Sequence, residues 1–154
     1  MKTLIYILGL LISIGANSLP YCECKQNDSI EKEIENSDLV LIGDVVSKNT
    51  TSIHKENKNL KYVEYKIKLY KSYKGINKDK TIYVYTAYDS ASCRIALEYD
   101  QRYIIFGNKS TYLPPESHSL LGDKEQRSFW VSSCSKTEIH SVTLENEIKR
   151  IMVE

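Results

Sequence analysis

Cysteine and histidine are scarce in this chain, with four and three residues among 154. The histidines, His54, His118 and His140, are far apart, and their spacing matches no metal-binding motif. The cysteines are Cys22, Cys24, Cys93 and Cys134. One Cys-x-Cys followed by two isolated cysteines lacks the paired knuckles of a structural zinc site. Charge of either sign is not in excess: the formal net charge is +1. A near-neutral chain exerts no global pull on nucleic acid or on an anionic membrane. A long hydrophobic run is also missing, since the longest, residues 4–14, is too short to span a bilayer. Asp89, Ser90 and Ser92 offer an acid and hydroxyls, but no histidine has a sequence reason to join them. The expectation is a protein without catalytic function and without a cofactor.

What is present begins with a leader. In "MKTLIYILGLLISIGANS", residues 1–18, Lys2 precedes the apolar run, and Ala16-Asn17-Ser18 places small residues at a cleavage site. The expectation is a signal peptide over residues 1–18 and one domain over residues 19–154. The protein is then secreted and extracellular, or periplasmic in a bacterium. Cleavage removes one lysine and no acid, so the remaining chain is balanced in charge. Outside the reducing cytosol an even number of cysteines implies disulfides. A Cys22–Cys24 bridge would close a strained loop. Both cysteines are therefore expected to reach across the chain, to Cys93 and Cys134, with either pairing open. Each bridge closes a loop on the order of 70 to 110 residues, worth about 4 kcal/mol in the chain-entropy model.

The chain between the cysteines reads as mainly β. "NDSIEKEIEN", residues 27–36, predicts a short helix capped by Asp28, with Ile30 and Ile34 on its buried stripe. "LVLIGDVVS", residues 39–47, predicts a strand bent at Gly43. Residues 48–59 are polar and read as a loop. "YVEYKIKLY", residues 62–70, alternates, with Val63, Tyr65, Ile67 and Leu69 on one face. Further strands are expected over residues 81–86, 102–107 and 128–132, with a long loop over residues 108–126. A closing helix starts at a Ser141 cap and places Leu144, Ile148, Ile151 and Met152 on one face. Five strands flanked by two helices suggest the five-stranded Greek-key barrel of the OB-fold.

The ordered features resemble a known family. A Cys-x-Cys opening is followed by "SDLVLIGDVVS", "YKIKLYKSYKG", "IYVYTAYDSASCRIAL", "YIIFG" and a strand ending in "SSC". This set resembles the N-terminal domain of the tissue inhibitors of metalloproteinases and, more broadly, the netrin-like domain. The resemblance implies a Cys22–Cys93 bridge and a Cys24–Cys134 bridge. It implies a ridge formed by Cys22, Glu23 and Cys24 beside Ser90, Ala91 and Ser92. In inhibitory members such a ridge fills the cleft of an extracellular zinc metalloprotease. The free amine and carbonyl of the first cysteine, here Cys22, chelate the protease zinc, and the next side chain, here Glu23, enters the specificity pocket. Only a free amine has the lone pair to bind zinc, so Leu19-Pro20-Tyr21 must be absent from the active form. The family's third bridge has Ile34 at its helix position, and no later cysteine exists, which implies a single-domain version without the cysteine-rich second domain.

A second surface carries interleaved lysine and tyrosine: Tyr62, Lys66, Lys68, Tyr70 and Lys71. On an OB barrel such a face suits a matrix protein, a cell-surface protein or a glycan. Two functions are therefore expected as alternatives, a metalloprotease inhibitor acting through the ridge and a non-inhibitory extracellular binding module. Neither needs nucleic acid or a membrane span, and a monomer suffices for both.

Overall fold

A computed structural model of the chain describes residues 22, 24, 29–55, 58–76, 81–89, 92–109 and 127–153, with the backbone alone at 53–55 and 58–60. The expected leader and the expected cap at Asp28 lie outside the described residues. The elements are α1 (Ile30–Asn36), β1 (Leu39–Lys55), β2 (Lys58–Lys74), β3 (Thr81–Ala87), β4 (Arg102–Lys109), β5 (Ser128–Trp130), β6 (Glu138–Ile139) and α2 (Val142–Val153). The sheet runs β1-β2-β3-β5-β4 and returns to β1, so five strands close a ring, and β6 adds to β4. Among the described residues only the β3–β5 contact is parallel; β1 pairs antiparallel with both β2 and β4. The fold is the mainly β, OB-type barrel with one helix before it and one after.

The apolar run of β1 is nearly continuous because both of its faces are buried. Leu39, Leu41 and Val45 point into the barrel with Tyr65, Ile67, Ile82, Val84, Ile105 and Phe129. Val40 and Ile42 point outward, and with Ile104 and Phe106 they meet Ile34 of α1 and Leu144 and Ile148 of α2. Each such side chain contributes about 1.5–3 kcal/mol on burial, so the two helices are needed to cover this outer face. Ile34 packs where the resemblance places a bridged cysteine. At Gly43 the strand passes so close to β2 that a Cβ would strike the Ile67 side chain and the Lys68 carbonyl. Irregular register on either side of it bends β1 around the barrel.

Residues 48–59, expected as a loop, mostly continue the strands: β1 and β2 pair without a break from Ser47↔Lys66 to Lys55↔Lys58. The β1–β4 register stops at Asp44↔Arg102 and the β2–β3 register at Tyr62↔Ala87. The end of the hairpin therefore extends past the barrel as a two-stranded ribbon. Its sequence shows no apolar period.

Helix ends are satisfied locally. Ser29 caps α1 by accepting from the Lys32 amide at 3.3 Å. The Lys74 ammonium donates to the Ile34 and Glu35 carbonyls at 2.8 and 3.1 Å, placing a cation at the negative end of α1. Ser141 Oγ accepts from the Leu144 amide at the start of α2, the cap expected from sequence.

One carboxylate joins α2 to the barrel. Glu145 accepts from Lys149 Nζ at 2.8 Å and from the Tyr73 hydroxyl at 2.9 Å; His140 Nε2 lies 2.8 Å away and Lys71 Nζ 3.5 Å away. The hydrogen bonds from Lys149, then His140, then Tyr73 hold its pKa down at about 2. Burial, reinforced by the same carboxylate, pushes the Tyr73 phenol up to about 12. A lowered folded-state pKa means that the unfolded chain takes up the proton first. The stabilisation from Glu145 is therefore complete above its ordinary value of 4.5 and is lost as pH falls from there toward about 2. Glu145→Gln should lose stability at neutral pH and show a shallower fall over that acid range than the native chain. Urea midpoints measured at intervals of pH check this, and parallel curves would contradict it.

Candidate functional site

Because β3 and β5 run parallel, they leave the sheet at the same end, and the segments that follow them emerge side by side. Tyr85 pairs with Trp130, and the Val131 amide continues the ladder by donating to the Tyr85 carbonyl at 2.9 Å. Beyond it the Ser133 amide donates to the Cys93 carbonyl, also at 2.9 Å. Cys93 and Cys134 thus become neighbours through backbone pairing. Cys22 is bonded to Cys93, and Cys24 to Cys134. The bridges touch: Cys22 Sγ is 3.5 Å from Cys134 Sγ and 3.8 Å from Cys24 Sγ. Bonded sulfurs carry no S–H, so these are packing contacts.

The segment around Cys93 is held from three directions. Asp89 Oδ1 accepts from the amide and the hydroxyl of Ser92, at 2.9 and 2.8 Å. The Ile95 amide donates to Thr86 Oγ1 at 3.1 Å, and the Leu97 amide donates to the Tyr65 hydroxyl at 3.2 Å. Tyr65 is fully buried in the barrel, so a core side chain carries its one polar atom to this segment. The Tyr103 hydroxyl similarly accepts from the Glu98 amide at 2.8 Å. Cys93 itself has φ 60, a left-handed conformation unusual for a residue with a Cβ.

Of the expected ridge, Cys22, Cys24 and Ser92 fall within this arrangement. Glu23, Ser90 and Ala91, like Leu19-Pro20-Tyr21, lie outside the described residues. So does His118, and the side chain of His54 is likewise outside them. Among the described residues the cysteines are the one gathering of metal-ligand type, and in this state their sulfurs are bonded to one another.

The five residues of the lysine–tyrosine face divide between three places. Tyr62 is buried and meets Trp130 edge-on, with ring centroids 5.9 Å apart. Lys71 points toward α2, with its ammonium 4.6 Å from the Tyr73 ring centroid and near Glu145. Lys66, Lys68 and Tyr70 remain exposed, Tyr70 by 62%. Sequence reasoning missed the partners of Tyr70. The Arg102 guanidinium lies 4.0 Å from its ring centroid and grips both oxygens of Asp44, at 2.7 and 3.0 Å. That hydrogen-bonded pair holds the Asp44 carboxyl below its ordinary value and Arg102 above its own. The available signal was Asp44 itself, a lone charge in the otherwise apolar run of residues 39–46.

Tyr65→Phe should leave the Leu97 amide without its partner at a buried site, at a cost of about 1–3 kcal/mol. Urea unfolding of the bridged protein measures it. A change within error would mean that Tyr65 does not anchor this segment.

Comparison with known proteins adds a family. The model of the family described as tissue inhibitor of metalloproteinase matches residues 20–113, more than half of the chain. Proteins of that family are inhibitors rather than enzymes. No curated protein matches the chain at a significant level. Among solved structures, the solution structure of an OB domain from Thermoplasma acidophilum is similar at 10% identity and a TM-score of 0.38, covering 68% of this chain and 77% of that one. The matched span, over more than half of the chain, places this chain in the tissue inhibitor of metalloproteinase family.

Proposed function

We propose that the chain is a secreted inhibitor of an extracellular zinc metalloendopeptidase, acting as a single-domain monomer over residues 19–154 or a shorter mature form. The observation that carries this reading is the tethering of Cys22 and Cys24 to Cys93 and Cys134 on a barrel of this family. Two anchors one residue apart leave the backbone at Cys22 little freedom. A rigid ligand loses little entropy on entering a cleft, which favours tight binding. With Cys22 as the first residue, its amine and carbonyl would chelate the protease zinc, and Glu23 would enter the adjacent pocket. Ser90, Ala91 and Ser92 would supply the second edge. An α-amine with a pKa of about 8 supplies the required uncharged form near neutral pH.

The N-terminus decides the matter. The reading requires a cut after Tyr21 beyond the one expected after Ser18, so sequencing of the active protein should find Cys22 first, and adding one alanine before it should abolish inhibition of a zinc endopeptidase, because an amide nitrogen has no lone pair to offer the metal. A mature chain that begins at Leu19 would overturn the zinc-chelating reading. In the active form, Glu23→Leu should tighten inhibition of an apolar-pocket protease by about tenfold or more, since the variant no longer buries an unpartnered carboxylate. Equal or weaker inhibition would mean that Glu23 meets a cation in its target.

A second reading rests on the exposed Tyr70, stacked against Arg102 beside Lys66 and Lys68. A flat ring next to cationic groups suits a glycan or an acidic matrix protein, and this surface lies apart from the bridges in the sheet register. It becomes the leading function if the mature chain retains Leu19-Pro20-Tyr21.

A further inference from the structure

The ribbon beyond the barrel carries an excess of positive charge. Residues 48–61 hold four lysines, Lys48, Lys55, Lys58 and Lys61, against one acid, Glu56. Register fixes which way two of them face. Lys61, Val63 and Tyr65 alternate on one face of β2, and Lys48 stands opposite Tyr65 on β1. Val63 and Tyr65 belong to the barrel interior, so Lys48 and Lys61 lie on the side of the ribbon that continues it. That side meets the segment carrying Cys93. Lys61 Nζ is 5.2 Å from the ring centroid of Tyr88, and Lys48 Nζ is 5.7 Å from that of Tyr65, whose hydroxyl holds the Leu97 amide. Arg94, next to Cys93, completes the group. Its Nη1 donates to the Tyr88 carbonyl at 3.2 Å, and its Nε is buried without an acceptor among the described residues.

These cations keep their charge. Contact with an aromatic face holds an ammonium in place without neutralising it. Among the described residues no carboxylate pairs with Lys48, Lys61 or Arg94. The two acids of the segment do not offset them: Asp89 accepts from the amide and hydroxyl of Ser92, and Glu98 follows the point where Tyr65 anchors the chain. The group stands beside Cys93, to which Cys22 is bonded, so a cleft that takes in the Cys22 end brings its rim against these cations. An arginine covered by a partner needs an acceptor there, and a basic rim would be repelled. We propose, building on the inhibitor reading above, that Lys48, Lys61 and Arg94 form a cationic flank of the ridge that receives carboxylates on the rim of the target's cleft. The partner is then a zinc endopeptidase with an acidic rim beside its active site.

The probe is the catalytic domain of a zinc endopeptidase with aspartates and glutamates at its cleft rim, beside the same domain with those acids replaced by their amides. Association of the full mature chain is followed at about 0.01 M and about 1 M salt, where charges are screened beyond about 30 and about 3 Å. The chain should associate with the acidic domain at least about tenfold faster at the lower salt. Lys48→Glu, Lys61→Glu and Arg94→Glu should each slow association by about threefold or more at low salt and leave the high-salt rate unchanged, and Arg94→Lys should keep most of the rate. Lys48 and Lys61 are exposed, so their variants report on charge with the fold intact. Arg150→Glu, the same charge change at an exposed position of α2, should have a smaller effect. The amide-rimmed domain should show none of these differences. A chain with one alanine before Cys22 should keep the salt-dependent association. Salt-dependent association without inhibition by the unextended chain would remove the zinc-chelating reading and leave the acidic rim standing. Equal low-salt rates for the native and the charge-reversed chains, an equal loss in Arg150→Glu, or no association with the acidic domain would overturn the acidic-rim assignment.

Discussion

The parallel contact between β3 and β5 is the interaction on which the rest of this structure depends. It spans three residue pairs, Tyr83↔Ser128, Val84↔Phe129 and Tyr85↔Trp130. Without it the sheet is open between β3 and β4, and the barrel interior around Val84 and Phe129 is exposed to water. Its direction matters as much as its presence. Parallel strands leave the sheet at the same end, so the two segments that carry Cys93 and Cys134 meet there. An antiparallel contact would send them to opposite ends, and a Cys-x-Cys segment could not reach both.

The outer surface of the barrel is organised by the same logic of covered and uncovered faces. Where β1 and β4 are apolar on both sides, α1 and α2 cover them, and the ionic attachment at Glu145 fixes the second helix in place. Where lysines alternate on β2, no helix among the described residues covers the strand, and Lys66 and Lys68 are exposed. The register shift near Gly43 marks the change between these regimes: beyond it Lys71 and Tyr73 turn under α2, and before it Lys68 and Tyr70 face solvent.

Much of this was legible in the sequence because burial imposes a period. Alternation in residues 62–70 and the apolar runs of β1 and β4 announced their strands, and Leu144 and Ile148 announced the docked face of α2. The long hairpin was not legible, since "SKNTTSIHK" forms a strand by pairing with its neighbour and carries no apolar period of its own. The two-residue β6 was too short to carry a pattern. At the site, the cysteine pairing was implied by family resemblance, whereas geometry from sequence left two arrangements open. The Asp44–Arg102–Tyr70 group and the partners of Glu145 come from residues tens of positions apart. Such groups are created by register, and no local window contains them.

The two bridges interleave along the chain: Cys22 reaches Cys93 before Cys24 reaches Cys134. A chain made from its N-terminus presents Cys93 when β3 is complete but β4 and β5 do not yet exist. At that moment nothing in the ring distinguishes Cys22 from Cys24, which sit one residue apart. The choice between them is settled only when β5 docks and Cys134 claims its partner. An early error would be a matter of timing, and its repair would have to wait for β5, the strand that completes the ring.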